Sequence, residues 1–295
     1  MNEAMNLSSR CFSVFIACAV FLGGCTNVEK LSRGGAEMAQ VPISDNPSGK
    51  IFPGMFVWHD LLTTDPRSAG DFYTKLFGWQ IDYSGDYAVV RNDGKLIAGI
   101  LKVAAADGQQ RDGVWMPSVS VADVGAATER VTANGGKILK GPLDMDRRGQ
   151  AALVSDPQRA DLVLIRAKGG DPADTEAAIG DWLWDEIWTD DPDGTEAFYE
   201  AVLGYDEITL GDGYDVFVRD GQWRAGVRYV GDRKGHMLWV PVVRVADPAA
   251  MVQRVNELGG VVWVAPDEAP SNGDTALIGD PTGALLLIQR WPPQA

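Results

Sequence analysis

The sequence predicts an α+β protein of two tandem domains, each made of two strand–helix–three-strand units. Three observations predict it. First, the chain repeats itself. Thr63-Thr64-Asp65-Pro66, Phe72-Tyr73 and Leu76-Phe77-Gly78-Trp79 return at an offset of 126 as Thr189-Asp190-Asp191-Pro192, Phe198-Tyr199 and Val202-Leu203-Gly204-Tyr205. Later anchors return at 124: Trp115/Trp239, Pro117/Pro241, Val121-Ala122-Asp123/Val245-Ala246-Asp247, Gly135-Gly136/Gly259-Gly260 and Asp156-Pro157/Asp280-Pro281. Second, each repeat is about the size of one ordinary domain, so this is a duplication and not a solenoid. Third, helix-opening and hairpin signals recur twice inside each repeat.

The chain opens with Arg10 and a 12-residue run without charge, Cys11 to Leu22. As a helix it would span ~18 Å at ~1.5 Å per residue, too little for a hydrocarbon core of ~30 Å. It reads as the apolar region of a signal peptide. The run ends in Leu22-Gly23-Gly24-Cys25, which resembles the lipobox of bacterial lipoproteins. That resemblance implies cleavage, acylation of Cys25 and attachment to a lipid bilayer. Thr26, not Asp, follows the cysteine, which by the usual sorting pattern implies an outer membrane, facing the periplasm. Residues 26–50 are polar and read as a flexible tether.

The first domain, 51–168, begins with a strand over Met55–Thr63. Asp65 is placed to cap a helix with Pro66 at its first position. Phe72, Tyr73, Leu76 and Phe77 form its apolar face, and Gly78 stops it. Strands follow at Trp79–Tyr83, Tyr87–Arg91 and Lys95–Val103, with Asn92-Asp93-Gly94 as a hairpin signal. The second unit restarts with Val114–Val121, a helix opened by Asp123 and closed at Asn134-Gly135-Gly136, and strands near Lys137–Lys140, Gln150–Ser155 and Leu162–Arg166. Residues 169–180 are a linker. The second domain, 181–292, repeats the order: strand 182–189, helix 191–203, three strands, strand 238–245, helix 247–258, three strands. The duplication predicts that the two domains pair in cis.

Composition bounds the partners. All three cysteines lie at or before residue 25, so the mature domains have no disulfide and no thiol nucleophile. A net charge of −15 argues against nucleic acid and anionic headgroups.

The doubled strand–helix–three-strand order, with Phe72-Tyr73 … Leu76-Phe77-Gly78-Trp79, Asn134-Gly135-Gly136 and Asp156-Pro157, resembles the vicinal oxygen chelate superfamily of glyoxalases, bleomycin-resistance proteins and extradiol dioxygenases. That resemblance implies that each domain forms a half-open cup, with metal ligands projecting from its first and last strands. The first-strand position, seven residues before the helix-opening Asp, falls on Trp58, Met116, Trp184 and Val240. The last-strand position falls on Val163 and Leu287. The fourth-strand position falls in Ile97-Ala98-Gly99 and Arg224-Ala225-Gly226. None offers imidazole, carboxylate or thiolate. The expectation is therefore no metal and no other cofactor. The chain's two histidines, His59 and His236, are expected in a strand at a domain edge or under a helix, and in a surface loop.

Period-two alternation puts Phe56, Trp58, Asp60 and Leu62 on one face of the first strand, and Trp182, Trp184, Glu186 and Trp188 on its counterpart. The resemblance implies that these faces line the cups. Tyr87, Arg91 and Met116 are candidates to join the first cup; Tyr214, Arg219 and Arg244 are candidates for the second. Asp60 and Glu186 are the candidate catalytic acids, with three roles open: general base, partner of a cationic ligand, or an ion pair with Arg91 or Arg219. The favoured expectation is a lipid-anchored protein that binds a small organic molecule in aromatic cups without metal. The alternative is a glyoxalase-like lyase or isomerase, or a dioxygenase-type enzyme.

Overall fold

The computed structural model describes residues 33–104, 113–211, 213–231, 237–268 and 273–292. The signal peptide, Cys25 and His236 lie outside the described residues. Among those described, no helix is long and apolar enough to cross a membrane.

After a short helix, α1 (Arg33–Ala39), the first domain runs β1 (Phe56–Thr63), α2 (Pro66–Phe77), β2 (Gln80–Ser84), β3 (Tyr87–Asn92), β4 (Lys95–Lys102), β5 (Val114–Ser120), α3 (Val124–Ala133), β6 (Lys137–Asp144), β7 (Gly149–Ser155) and β8 (Asp161–Ala167). The second runs β9 (Trp182–Thr189), α4 (Pro192–Leu203), β10 (Asp206–Gly211), β11 (Tyr214–Arg219), β12 (Gln222–Tyr229), β13 (Leu238–Arg244), α5 (Pro248–Val255), β14 (Val261–Val264), β15 (Thr275–Gly279) and β16 (Leu285–Gln289). Each domain is one eight-stranded sheet, ordered β2-β3-β4-β1-β5-β8-β7-β6 and β10-β11-β12-β9-β13-β16-β15-β14. Within a unit, the meander brings its last strand back parallel to the first, as in β1/β4 and β5/β8. The two units of a domain join antiparallel through β1/β5 and β9/β13.

Local chemistry explains the start of each repeated helix. Asp65, Asp123, Asp191 and Asp247 each accept a backbone N–H three residues on, from Ser68, Ala126, Gly194 and Ala250. One such cap contributes about 1 kcal/mol. Asp93 and Gly94 both have positive φ, 47° and 77°, as a tight two-residue hairpin demands.

The helix layers of the two sheets share two cores. One holds α3 and α4 residues together, and the other holds α2 and α5 residues. The repeated motifs are the ties between domains. Trp115 Nε1 donates to Tyr73 Oη, which donates to Asp280 across the interface; Trp239, Tyr199 and Asp156 repeat the relay in the opposite sense. Trp79 Nε1 donates to Gly180 O, and Tyr205 Oη to Gly54 O. Gly136 and Gly260 admit the other domain's phenylalanine: a Cβ would sit 2.9 Å from Phe198 Cε2 or 2.7 Å from Phe72 Cε2. At the centre of this pseudo-twofold arrangement, His59 meets its own counterpart, Asp185 (Nε2···Oδ1 2.9 Å), and both are fully buried. Before duplication this position would face a copy of itself. Two unlike sequences can place an imidazole against a carboxylate there.

Two expectations need correction. Residues 26–50 were expected to be a free tether. From Arg33 on, the chain instead forms α1 and a turn packed on the first cup, with Ala39 and Ile43 buried in its apolar lining. Only four small or aliphatic residues, Met38, Ala39, Val41 and Ile43, make that contact, a run too short and too polar around it for patterning to mark as packed. Strict alternation also fails at the start of β1 and β9. Phe56 pairs with Val119 while Trp58 pairs with Ser118, so Val57 is the extra residue of a β-bulge; Leu183 is the same in β9. A bulge re-aims its neighbours. Phe56 and Trp182 therefore turn from the cups into the helix layer, against Trp239 and Trp115.

Candidate functional site

The first cup is built around Asp60, at the middle of β1. Its Oδ1 accepts from Tyr87 Oη (2.6 Å) and its Oδ2 from Arg148 Nη1 (2.6 Å), while Arg148 Nη2 donates to Tyr87 Oη (2.6 Å). Burial first, then the Asp60 charge, holds the Tyr87 phenol well above its ordinary range, although Arg148 opposes this. Burial lowers Arg148, but Asp60 and Tyr87 outweigh it and keep the guanidinium charged. Gly99 makes room: a Cβ there would meet Tyr87 Oη at 1.7 Å and Asp60 Oδ1 at 2.6 Å. Trp58 lies beside Arg148, whose guanidinium carbon is 5.1 Å from its ring centroid. Met116 pairs directly opposite Asp60 and shares its face.

The chain's own N-terminal segment closes this cup. Arg148 Nε donates to Val41 O (3.4 Å), Arg147 N to Ala39 O (3.1 Å), and Asp86 N to Glu37 Oε2 (2.7 Å). Trp58 is left 1% exposed.

The second cup has the same floor from different residues. Glu186 Oε1 accepts from Tyr214 Oη (2.9 Å) and Arg228 Nη2 (3.0 Å); Oε2 accepts from Arg228 Nε (2.8 Å) and Trp188 Nε1 (3.2 Å). Burial first, and Glu186 second, push the Tyr214 phenol far up, so it stays a neutral donor. Glu186 is buried, whereas Trp184, Trp188, Trp263, Leu238 and Leu285 around it are only partly covered. The indole Nε1 atoms of Trp184 and Trp263 are buried without a hydrogen-bond partner.

Trp58, Asp60, Tyr87 and Met116 are thus together in one cup, and Trp184, Glu186, Trp188 and Tyr214 in the other. Three candidate arginines are elsewhere. Arg91 holds Asp45 at the rim of the first cup. Arg219 donates to Leu203 O at the end of α4, on the helix side of its sheet. Arg244 reaches into the linker, to Glu176 and Ala177 O. The acids pair instead with Arg148 and Arg228. Arg228 was within reach of alternation, two residues past Gly226 on β12. Arg148 sits in the turn before β7, where no periodicity marks it.

The positions at which the resemblance implies metal ligands carry no imidazole, carboxylate or thiolate. Trp58 and Val163 line the first, and Trp184, Val240 and Leu287 the second, all of them apolar or aromatic. Among the described residues, three ligating side chains converge only at Glu196, Glu207 and Asp215, outside the cups. There burial and the neighbouring Glu207 push Glu196 up to about 8.

Comparison with known proteins agrees with this architecture. The sequence profile of the "Glyoxalase/Bleomycin resistance protein/Dioxygenase superfamily" matches residues 56–164. The chain is 30% identical over 253 residues to "Putative glyoxylase CFP32" of Mycobacterium tuberculosis (strain CDC 1551 / Oshkosh), covering 80% of this chain and 95% of that one. It is 31% identical over 264 residues to "Anthracycline biosynthesis protein DauV" of Streptomyces sp. (strain C5), covering 81% and 94%. Among solved structures, it shares its fold with the Mn(II)-bound glyoxalase from Novosphingobium aromaticivorans (TM-score 0.56, 14% identity, 81% of this chain and 82% of that one). It also shares it with homoprotocatechuate 2,3-dioxygenase from Arthrobacter globiformis (TM-score 0.54, 13% identity, 85% and 83%). The chain belongs to the glyoxalase/bleomycin resistance protein/dioxygenase superfamily, as a tandem pair of its domains.

Proposed function

We propose that this protein holds a flat, aromatic organic molecule in its second cup, without a metal. One observation carries the reading: a partly exposed tryptophan wall with two unpartnered indole N–H groups stands over a floor whose polar groups already satisfy each other. Buried donors nearly always have acceptors, and a carbonyl or hydroxyl on an aromatic ligand would supply them. The N-terminal segment closes the first cup through Met38, Ala39, Val41 and Ile43, so the aromatic molecule has one cup open to it and not two. Two relatives named for anthracycline biosynthesis support a polycyclic aromatic class.

The enzymatic alternative, a glyoxalase-like lyase or isomerase or a dioxygenase, would need Asp60 or Glu186 as a base. Both oxygens of each carboxylate are already engaged by Arg and Tyr, which favours a fixed ion pair. The proposed setting is a lipid anchor at Cys25, placing the domains at the periplasmic face of an outer membrane.

The test is quenching of tryptophan fluorescence by an anthracycline, titrated into the full chain. Trp184→Ala and Trp263→Ala are each expected to weaken binding about tenfold, the equivalent of ~1.4 kcal/mol. Unchanged affinity in both variants would remove the second cup as the site.

A further inference from the structure

Between the two domains lies a cavity of about 600 Å³, distinct from the floors of both cups. The first halves of β1 and β9 line it, together with the β3–β4 hairpin and the linker. His59 and Asp185, the pair at the pseudo-twofold centre, form part of its wall.

Three of its lining side chains carry a buried nitrogen with no partner: His59 Nδ1, Arg224 Nε and Trp184 Nε1. Their chemistry differs. Asp185 accepts from His59 Nε2 with both oxygens, at 2.9 and 3.1 Å, which assigns the ring proton to Nε2 and leaves Nδ1 as an acceptor. Arg224 Nη1 is taken by Asp174 at 2.9 Å, so its Nε–H is a spare donor. The indole N–H of Trp184 is a second donor. Such buried atoms are rare and point to a guest that fills their needs.

The guest's charge follows from the wall. Of the five lining aspartates, three are ion-paired, Asp45 with Arg91, Asp174 with Arg224 and Asp181 with Lys95, while Asp185 is held by the imidazole of His59. The lining Lys95 and Arg224 are thus both taken by carboxylates, and the wall offers an anion no free counter-charge. Trp223, 44% exposed, lies nearly parallel to Trp184 with ring centroids 6.1 Å apart and presents a flat apolar surface. The volume is that of an ordinary small-molecule pocket, ~300–1,000 Å³.

We propose that this interdomain cavity binds a non-anionic ring compound bearing hydroxyl groups, with a hydroxyl hydrogen donated to His59 Nδ1 and hydroxyl oxygens accepting from Arg224 Nε and Trp184 Nε1. Sugar and phenol rings share this chemistry. The site shares the Trp184 indole with the second cup but not that cup's Trp263 or its floor of Glu186, Tyr214 and Arg228, so Arg224→Met reads the cavity and Trp263→Ala the cup, and the two failures are distinguishable.

The chain has only two histidines, so nitrogen NMR of histidine-labelled full-length protein reads His59 directly against His236. The probes are catechol and methyl β-glucoside, added separately. At least one is expected to shift the His59 Nδ1 resonance saturably while His236 stays still. A response to catechol alone assigns a phenolic guest, and to the glucoside alone a sugar. Arg224→Met and the exposed Trp223→Ala are each expected to weaken that response about tenfold, and Trp263→Ala in the second cup to leave it unchanged. No shift of His59 with either probe, or a response undiminished in both cavity variants, would overturn the proposal.

Discussion

Replacing Tyr199 by phenylalanine isolates one of the two interdomain relays. The phenol is fully buried, donates to Asp156 Oδ2 at 3.1 Å and accepts from Trp239 Nε1 at 3.0 Å. Removing one oxygen orphans two groups. A hydrogen bond to a charged carboxylate contributes about 1.5–3 kcal/mol, and a buried indole N–H left alone costs about 1–3 kcal/mol. The expected loss is therefore roughly 3–5 kcal/mol at pH 8. The pH dependence sharpens this. Burial raises Asp156 to about 6, and the Tyr199 hydrogen bond is one of the contacts holding it from going higher. Because this folded value exceeds the unfolded value of about 3.9, the folded state binds the extra proton between them. The contribution is fully present below the unfolded value and is lost as pH rises through about 6. In wild type this amounts to about 3 kcal/mol, from ~1.36 kcal/mol per unit. At pH 5 Asp156 is largely neutral, and its bond to Tyr199 is an ordinary one of about 0.5–1.5 kcal/mol. The Tyr199→Phe deficit, measured by urea unfolding, should be about 1 kcal/mol smaller at pH 5 than at pH 8. A deficit below about 0.5 kcal/mol, or one equal at both pH values, would refute the relay as an energetic tie.

Three further outcomes follow from the same geometry. Gly136→Ala drives a Cβ to 2.8 Å from Ser155 O and 2.9 Å from Phe198 Cε2; it should cost about 1–3 kcal/mol in urea unfolding by overpacking the interface. Ile43→Asp puts a carboxylate into the apolar seal of the first cup; quenching of Trp58 by added acrylamide should rise, and no change would mean that the segment does not close the cup. Cys25→Ser should move the protein from the membrane fraction to the soluble fraction, and continued membrane association would remove the proposed lipid anchor.

Much of the fold was legible because its signals are local. An Asp before an apolar run caps a helix, and a Gly after it ends one, whatever the surrounding packing. The duplication was equally legible, but its meaning was not. Phe72-Tyr73 and Asp156-Pro157 read as family markers; in space, each contacts the other domain. Spacing within one repeat cannot show that, because the partner lies more than a hundred residues away. The site was half legible. Alternation puts Asp60 and Glu186 on the same strand faces that the structure has them on, since both lie beyond the bulges. It misplaced Phe56 and Trp182, because one extra residue in a strand reverses every assignment before it. Arg148 carries no period, and the segment that seals the first cup carries one too short to read as an element. Their roles come from where the chain happens to return, not from any local pattern.

The central claim is that a ligand binds one cup, through tryptophan and without metal. The most direct measurement is calorimetric titration of an anthracycline into the full chain, before and after treatment with a strong chelator. Binding with the same affinity in both conditions is the expected result. Binding that disappears with the chelator, or no binding in either condition, would contradict it.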